Sequence, residues 1–288
     1  MRLWTGDVAQ LATGFGFTEG PCWIPGRDAL LFTDIPGNTI QIWRPADNRA
    51  ETLIGNAHFA IGLALSRHDE ILCCEHTTRS LTARSTRDFR RRVLASGYGP
   101  HVLNSTNDVI CASDGTILFT DPPFGVRYLD GALHGYQQAQ ELDGAWVFRV
   151  TDRTDRPEPL MTEIYRPNGL CLSPDEKILY VSDSSEMHHK VLAMDVAPDW
   201  SLSGLRDFAV MPMGVPDGMR VDIEGRLWVA GGDGVHVYAP DGAPVDHVPV
   251  PEMVTNVEFG GADLSELFIT ATRSLYRVRT KTRSGRAW

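Results

Sequence analysis

One sequence feature restricts the fold of this chain more than any other: a short apolar segment of similar pattern returns six times along its 288 residues. Most copies follow a polar turn and are preceded by another short apolar strand, so that the repeated segment is the second strand of a predicted hairpin. Self-similarity of this kind is the signature of a repeat architecture. The six segments are ALLFTDI (29–35), EILCCEH (70–76), TILFTDP (116–122), KILYVSD (177–183), RLWVAGG (226–232) and ELFITAT (266–272).

Each repeated segment is followed by a third apolar strand, and the first five are also followed by a fourth, more polar strand. The sixth unit ends near residue 280 without a fourth strand, whereas DVAQLAT at 7–13 precedes the first unit without a partner. Six four-stranded units predict an all-β, six-bladed β-propeller in which this N-terminal strand closes the ring and hides its edges. We expect one propeller domain over residues 1–280 and a basic tail at 281–288. A pair of β-sandwiches is the alternative, but sandwiches do not require six similar units.

The residue just before the first strand of most units carries a side-chain oxygen. It lies 10 to 12 residues before the matching leucine of the second strand, so these residues occupy equivalent positions in the repeat. Because the first strand of each blade lines the central channel and starts at one mouth, we expect four oxygen-bearing side chains to converge there. The six positions are Glu19, Ile61, Asn107, Asn168, Asp217 and Thr255.

Two carboxylates and two amides at one mouth predict a bound cation. Glu19 and Asp217 would repel each other in a partly desolvated cavity, and one divalent ion removes that repulsion. Ligation by oxygen atoms alone favours a hard ion, with calcium as the first candidate and magnesium or manganese next. The absence of a thiolate or a histidine at this position weakens a dedicated zinc site, although zinc stays among the candidate ions. Asparagine and aspartate are also common turn residues, so any single position fits a turn, whereas four at one repeat position favour a site.

Charge and cysteine content limit the partners and the location of the protein. A net charge of −10 argues against nucleic acid or an anionic membrane surface as the main partner. Five cysteines, an odd number without CxxC spacing, predict buried and reduced thiols. The N-terminal segment is not apolar enough for a signal peptide or a membrane span, so the expected location is the cytoplasm. We expect a monomer or a weak homo-oligomer. The basic ending RTKTRSGRAW predicts a frayed terminus.

Several motifs resemble those of the gluconolactonase family, which also includes senescence marker protein (regucalcin) and luciferin-regenerating enzyme. The SDG…FTDPPFG pattern is more similar to the bacterial sugar-lactonase branch than to the animal one. The resemblance covers nearly the whole chain and rests mainly on FTEGPCW (17–23), NSTNDVICASDGTILFTDPPFG (104–125), RPNGLCLSPDEKILYVSD (166–183), PDGMRVDIEGRLWVA (216–230) and TNVEFGGADLSELFIT (255–270).

The resemblance implies a six-bladed propeller with one catalytic divalent metal ion in its channel. It implies that Glu19, Asn168 and Asp217 ligate the ion, and that Asp217 is also the general acid/base. Asn107 would be a further ligand or a substrate contact. Two positions depart from the family pattern: Ser105 stands where animal members have an arginine that contacts substrate, and Ile61 stands where many bacterial members have a small polar residue or asparagine. These departures concern the substrate and leave the metal ligands unchanged.

Other side chains are candidates for substrate contact. Ser105 occupies the departing position, Glu75 and His76 end a strand, and His101 lies in a segment that would reach the same mouth. The long segment at 123–143 interrupts the repeat and predicts either a lid over that mouth or a surface excursion.

These features together predict a metal-dependent hydrolase that opens a sugar lactone. The ion would polarise the ring carbonyl, and Asp217 would assist the attacking water. Two alternatives stay open because propellers host many functions. One is a phosphotriesterase-like hydrolase of the diisopropyl fluorophosphatase type that uses the same metal, and the other is a non-enzymatic binding platform without metal.

Overall fold

The structure is a computed structural model that describes residues 2–127, 135–151 and 156–286. Its strands form six four-stranded antiparallel sheets and one extra two-stranded hairpin, which confirms the predicted six-bladed propeller. The chain begins with β1 (Trp4–Thr13), which belongs to the last blade. A single 3₁₀ turn at Pro25–Arg27 is the one helical element among the described residues, and they include no helix of the length and hydropathy that a membrane span requires.

In the first five blades the strands are hydrogen-bonded in sequence order, from the inner strand outward. The first blade contains β2 (Thr18–Ile24), β3 (Ala29–Asp34), β4 (Thr39–Arg44) and β5 (Arg49–Gly55). The second contains β6 (Ala60–Leu65), β7 (Glu70–Glu75), β8 (Ser80–Ser85) and β9 (Arg91–Ala95), and is followed by the hairpin β10 (Gly97–Tyr98) and β11 (His101–Val102). The third contains β12 (Val109–Cys111), β13 (Ile117–Asp121), β14 (Trp146–Val150) and β15 (Glu158–Met161). The fourth contains β16 (Pro167–Leu172), β17 (Ile178–Asp183), β18 (Lys190–Val196) and β19 (Leu202–Val210). The fifth contains β20 (Met219–Val221), β21 (Leu227–Gly231), β22 (Gly234–Tyr238) and β23 (Pro244–Pro249).

The last blade joins the two ends of the chain. It contains β24 (Val254–Gly260), β25 (Glu266–Ala271) and β26 (Ser274–Thr280), and β1 is its fourth strand. β1 runs antiparallel to β26, with Trp4 opposite Thr280 and Thr13 opposite Ser274. The predicted closure by the N-terminal strand is therefore confirmed.

Neighbouring blades pack through apolar faces, with aromatic side chains filling the wider spaces between them. Trp23 of the first blade stacks on Phe268 of the last, with ring centroids 5.4 Å apart. Trp228 and Phe259 meet edge to face between the fifth and sixth blades at 5.7 Å. The five cysteines are free thiols, and four of them are buried in these layers, as the sequence predicts.

The inner strands approach one another so closely that some positions tolerate no side chain. A Cβ atom added to Gly169 on β16 would lie 2.3 Å from the backbone oxygen of Asp217 in the next blade. The inner strands of the fifth and sixth blades also approach closely, because the backbone N–H of Gly218 donates to the carbonyl oxygen of Thr255 at 2.8 Å. Glycine at these positions sets the width of the channel, and therefore the distance between the residues that precede them.

We expect Gly169→Ala to destabilise the propeller by about 1–3 kcal/mol, because the added methyl group overpacks against a backbone that has no free space. Urea unfolding of the purified variant measures this change. Gly55→Ala is the matched control, since Gly55 at the end of β5 has nothing within 4 Å of an added Cβ atom and an ordinary φ. Equal stability of the two variants would contradict the close packing of the inner strands.

The C-terminal tail differs from the frayed segment that its sequence predicts. Gly285 donates a backbone hydrogen bond to Val221 at 2.9 Å, and Ile223 donates one to Arg283 at 3.0 Å. The Arg286 side chain donates to the carbonyl oxygen of Leu65 at 2.5 Å. Residues 283–286 thus lie across the mouth at which the inner strands end, which we call the lower mouth.

Candidate metal and substrate site in the channel

A cavity opens at the upper mouth, where the inner strands begin. It brings together the four oxygen-bearing side chains predicted from the repeat, and apolar side chains form the rest of its wall. Thr255 is the exception among the polar positions, because its hydroxyl donates to the carbonyl oxygen of Thr18 at 2.7 Å instead. The residues that line the cavity are Glu19, Asn107, Asn168, Asp217, Phe17, Ile35, Ile61 and Phe124.

The next residue of each inner strand forms a second layer below the cavity. In four blades this residue is glycine, but Asp108 and Asn256 stand there in the third and sixth blades. Asn256 Nδ2 donates to Glu19 Oε2 at 2.9 Å. The carboxylate of Asp108 accepts from its neighbour Val109 N at 2.9 Å and lies inside the channel wall. Both residues support the cavity from below.

Hydrogen bonds fix the orientation of the cavity side chains and their backbones. Asn107 Nδ2 donates to Asn168 Oδ1 at 3.1 Å, which leaves the remaining lone pair of Oδ1 for the cavity. Hydroxyl groups from the second strand of the preceding blade hold the backbones: Thr120 Oγ1 donates to the Asn168 carbonyl at 2.8 Å, and Ser182 Oγ donates to the Asp217 carbonyl at 2.7 Å. The preceding blade therefore positions each of these two residues.

The charges of the channel favour a bound cation. Burial and the nearby carboxylate of Asp108 raise the pKa of Glu19 to about 7. Burial and the charge of Glu19 raise the pKa of Asp217 well above its usual range. Deeper in the channel, Arg220 Nε pairs with Glu258 Oε2 at 2.9 Å. Four carboxyl groups thus lie along the channel with two guanidinium groups, those of Arg220 and, at the lower mouth, Arg286. The cavity residues Glu19, Asn107, Asn168 and Asp217 offer only oxygen ligands, which fits a hard divalent ion.

Comparison with known proteins places this geometry in a family. The sequence profile described as SMP-30/Gluconolactonase/LRE-like region matches residues 17–273. The chain belongs to this family. It is 29% identical to a gluconolactonase of Zymomonas mobilis over an alignment of 297 positions, which covers 96% of this chain and 82% of that protein.

Solved structures agree with this assignment to the SMP-30/gluconolactonase family. A gluconolactonase from Xanthomonas campestris superposes with a TM-score of 0.89 at 34% identity, and the match covers 97% of this chain and 91% of that one. A calcium-binding regucalcin from Agrobacterium tumefaciens has the same fold, with a TM-score of 0.77 at 18% identity and coverage of 98% and 95%. The resemblance that the motifs indicate is confirmed.

Two of the predicted substrate contacts lie outside the cavity. Glu75 is fully buried but points toward the outer strands, where Arg91 and Arg84 bind its carboxylate at 2.7 and 3.1 Å. Burial alone would raise the pKa of Glu75, but the hydrogen bonds from Arg91 and Thr78 and the charges of Arg91 and Arg84 lower it. His101 lies half-exposed on the extra hairpin, with its Nδ1 atom 3.8 Å from Glu141. Neither side chain therefore lines the cavity with Glu19, Asn168 and Asp217.

Ser105 and His76 also do not line the cavity, but both support a loop that does. Ser105 Oγ donates to the carbonyl oxygen of Pro122 at 2.6 Å and accepts from the backbone N–H of Gly125 at 2.9 Å. His76 is buried against Gly125, where a Cβ atom would lie 2.5 Å from the imidazole. This turn carries Phe124 into the cavity wall, so the two residues position an apolar wall instead of contacting substrate directly.

The segment at 123–143, predicted as a lid or a surface excursion, reaches the upper mouth through Phe124. Tyr136 packs edge to face on Phe59, with ring centroids 5.2 Å apart. Residues 128–134 of this segment lie outside the described residues. The choice between a lid and a surface excursion therefore stays a prediction.

Sequence reasoning missed several residues in and below the cavity, although signals for them exist. Phe17 and Phe124 lie within motifs that carry the family resemblance, FTEGPCW and FTDPPFG. Asp108 and Asn256 break the pattern of a glycine after the cavity residue, which the other four blades keep. An exception to a repeat is thus as informative as the repeat itself.

The aspartates that end β3, β13 and β17 hold the loops that lead into the inner strands. Each accepts a hydrogen bond from a backbone N–H of the segment just before its own blade. The pairs are Asp34 Oδ1 with Gly16 N at 3.0 Å, Asp121 Oδ2 with Asn104 N at 2.7 Å, and Asp183 Oδ1 with Arg166 N at 3.2 Å. In each TD or SD dipeptide of these strands, the hydroxyl of the first residue therefore hydrogen-bonds to the backbone of the next blade. The carboxylate of the second residue hydrogen-bonds to the loop that leads into its own blade.

Asp121 predicts a pH dependence of stability. Burial raises its pKa to about 7 in the folded protein, against about 3.9 in an unfolded chain. The folded state binds more protons between these values, so its stability falls as the pH rises through this range. Asp121→Asn should remove this part of the slope, about 3 kcal/mol between pH 5 and pH 8. Urea unfolding of wild type and variant at both pH values measures it, and parallel slopes would contradict the role of Asp121.

Proposed function

We propose that this protein is a metal-dependent sugar lactonase that opens the ring ester of an aldonolactone by adding water. Family membership and the gluconolactonase relatives assign the broader class, a lactonase. The observation that carries the finer proposal is the convergence of Glu19, Asn107, Asn168 and Asp217 in one buried cavity of the channel. We also propose a cytoplasmic location, in keeping with five unpaired cysteines.

The cavity residues that would hold the metal are Glu19, Asn168 and Asp217, with Asn107 as a fourth oxygen ligand or a substrate contact. When bound, a divalent ion, calcium first among the candidates, supplies Lewis-acid polarisation of the lactone carbonyl. The two buried carboxyl groups of the cavity, Glu19 and Asp217, whose pKa values are both raised by burial and by neighbouring negative charge, fit such an ion.

The protein's own groups orient the lactone and move the proton. Asp217 accepts a proton from the attacking water and returns it to the ring oxygen as the ester bond breaks, so that hydroxy acid forms without net proton uptake by the enzyme. Asn107 offers amide hydrogen-bonding atoms to the sugar hydroxyls. Phe17, Ile35 and Phe124 form an apolar wall that excludes bulk water and contacts the C–H face of the ring.

A panel of five- and six-membered aldonolactones tests the proposal, with acid release followed by a pH indicator. We expect turnover that is lost with EDTA and restored when calcium, zinc, manganese or magnesium is added back. Diisopropyl fluorophosphate is the discriminating substrate for the phosphotriesterase alternative. Faster cleavage of this compound than of every lactone would overturn the proposed substrate class, and the absence of any metal uptake would favour the binding platform.

A further inference from the structure

A cluster of three metal-ligating side chains lies in the outer part of the fifth blade, away from the channel. Asp233 occupies the turn between β21 and β22, His236 lies on β22, and His247 lies on β23. His236 and His247 are directly opposite each other in the antiparallel pair, so their side chains share one face of the sheet. Among the described residues this is the one group of three or more such side chains whose ligand atoms all lie within 4.8 Å of one another.

The two imidazoles present the same nitrogen to one carboxylate oxygen. His236 Nε2 is 2.7 Å from Asp233 Oδ1, and His247 Nε2 is 3.7 Å from the same atom. The two rings stack, with their centroids 4.5 Å apart and an angle of 28° between their planes. Both Nε2 atoms face Asp233. In a tetrahedral zinc site, bonds of about 2.0–2.2 Å place neighbouring ligand atoms roughly 3.3 Å apart. The two observed separations, 2.7 and 3.7 Å, lie on either side of this value, and each differs from it by about half an ångström.

His247 has a polar atom that the protein itself does not satisfy. Its Nε2 atom is buried and makes no hydrogen bond, and an unsatisfied buried polar atom destabilises a fold by about 1–3 kcal/mol. By contrast, His236 already shares a hydrogen bond with Asp233. A cation placed between the three side chains would engage the buried nitrogen of His247 and replace the proton between His236 and Asp233.

Two glycines allow the imidazoles to pack closely against the backbone of the β21–β22 turn. Gly231 and Gly234 are opposite each other at the start of the β21–β22 pair, on the same face as the histidines. A Cβ atom at Gly234 would lie 2.6 Å from His247 Nε2, and one at Gly231 would lie 3.1 Å from the His236 ring. The Trp4 indole N–H donates to the His247 carbonyl oxygen at 3.2 Å and holds the backbone of β23 in place. The glycines thus let the imidazoles lie close to the β21–β22 backbone, and Trp4 fixes the backbone of β23.

We propose that Asp233, His236 and His247 form a second metal site, specific for zinc or another borderline divalent transition ion. Mixed imidazole and carboxylate ligation favours such ions, whereas the oxygen atoms of the channel favour hard ions. Three protein ligands leave a fourth position for water, and the side chains of Asp233 and His247 are each 36% exposed, which gives the ion access from solvent. The bound ion would link the turn, β22 and β23, and so stabilise the outer half of the fifth blade.

The test starts from untagged, full-length protein that has been stripped of metal. Excess calcium is then added to saturate the channel. Zinc is titrated calorimetrically, and cobalt(II) is titrated by its visible absorption, which reports tetrahedral nitrogen ligation. We expect one equivalent of zinc to bind to the wild type and to raise its melting temperature. His236→Gln and His247→Gln should each weaken binding by more than about 100-fold, beyond the loss usual for a supporting residue.

Two controls make the outcome specific. His68→Gln removes an exposed histidine outside the cluster and should bind zinc like the wild type. The channel variant Glu19→Gln/Asp217→Asn should also keep the zinc equivalent, which separates this site from the proposed catalytic one. Asp233→Asn, a change in a turn, gives a second variant in case a histidine replacement unfolds the blade. Wild-type affinity in both histidine variants, or loss of the equivalent in the channel variant, would overturn the proposal.

Discussion

Replacing Asp217 by asparagine should lower kcat/KM for a sugar lactone by about 10²–10⁴-fold, the usual contribution of a general acid/base, while the propeller stays folded. The side chain points into the cavity at the upper mouth, and its backbone keeps the bonds from Ser182 and to Ala230. The amide oxygen of asparagine can still ligate a metal ion, so the loss reports mainly the missing base. Initial rates with an excess of metal, together with thermal melting, measure both effects.

The stability of the Asp217→Asn variant gives an independent check. Burial and the charge of Glu19 make an ionised Asp217 unfavourable in the metal-free protein, so the variant should melt at a higher temperature than wild type when metal is absent. Asp108→Asn is the matched control, since it removes the same charge one layer below the cavity and should reduce the rate far less. Full lactonase activity of Asp217→Asn, or equal losses in the two variants, would show that Asp217 is not the base.

The repeat spacing predicts the fold and the cavity residues because both depend on symmetry. Glu19, Asn107, Asn168 and Asp217 stand at equivalent positions of their blades, so the closure of the ring brings them together whatever the loops do. Hydrophobic pattern and turn residues are local signals, and they suffice to place the inner strands that carry these side chains.

The side-chain environments that were not predicted depend on contacts between elements that local patterns do not report. Glu75 ends a strand as several site residues begin one, but its direction is set by Arg91, which arrives from β9. His101 lies outside the cavity because it belongs to the extra hairpin between the second and third blades. The tail has no periodicity of its own, and its order comes from pairing with residues 221–223 in the fifth blade. In each case the deciding partner is distant in sequence and carries no repeat signature.

Glu19→Gln should weaken the binding of a divalent ion to the channel by at least about tenfold, the equivalent of 1.4 kcal/mol, and should alter its pH dependence. The pKa of Glu19 is about 7 in the metal-free folded protein, against about 4.3 in an unfolded chain. Below pH 7 the metal must displace a proton from this carboxyl group, so wild-type affinity should fall as the pH decreases from 8 to 6. For the same reason the stability of the metal-free protein should fall as the pH rises from about 4 to 7, since the folded state binds the extra proton.

Glutamine cannot titrate, so the Glu19→Gln variant should show a smaller change in metal affinity between pH 8 and pH 6 than the wild type. Calorimetric titration with calcium at pH 6 and pH 8 makes the comparison, with His68→Gln as a control outside the channel. Unchanged affinity in Glu19→Gln at pH 8 would remove Glu19 from the proposed ligand set.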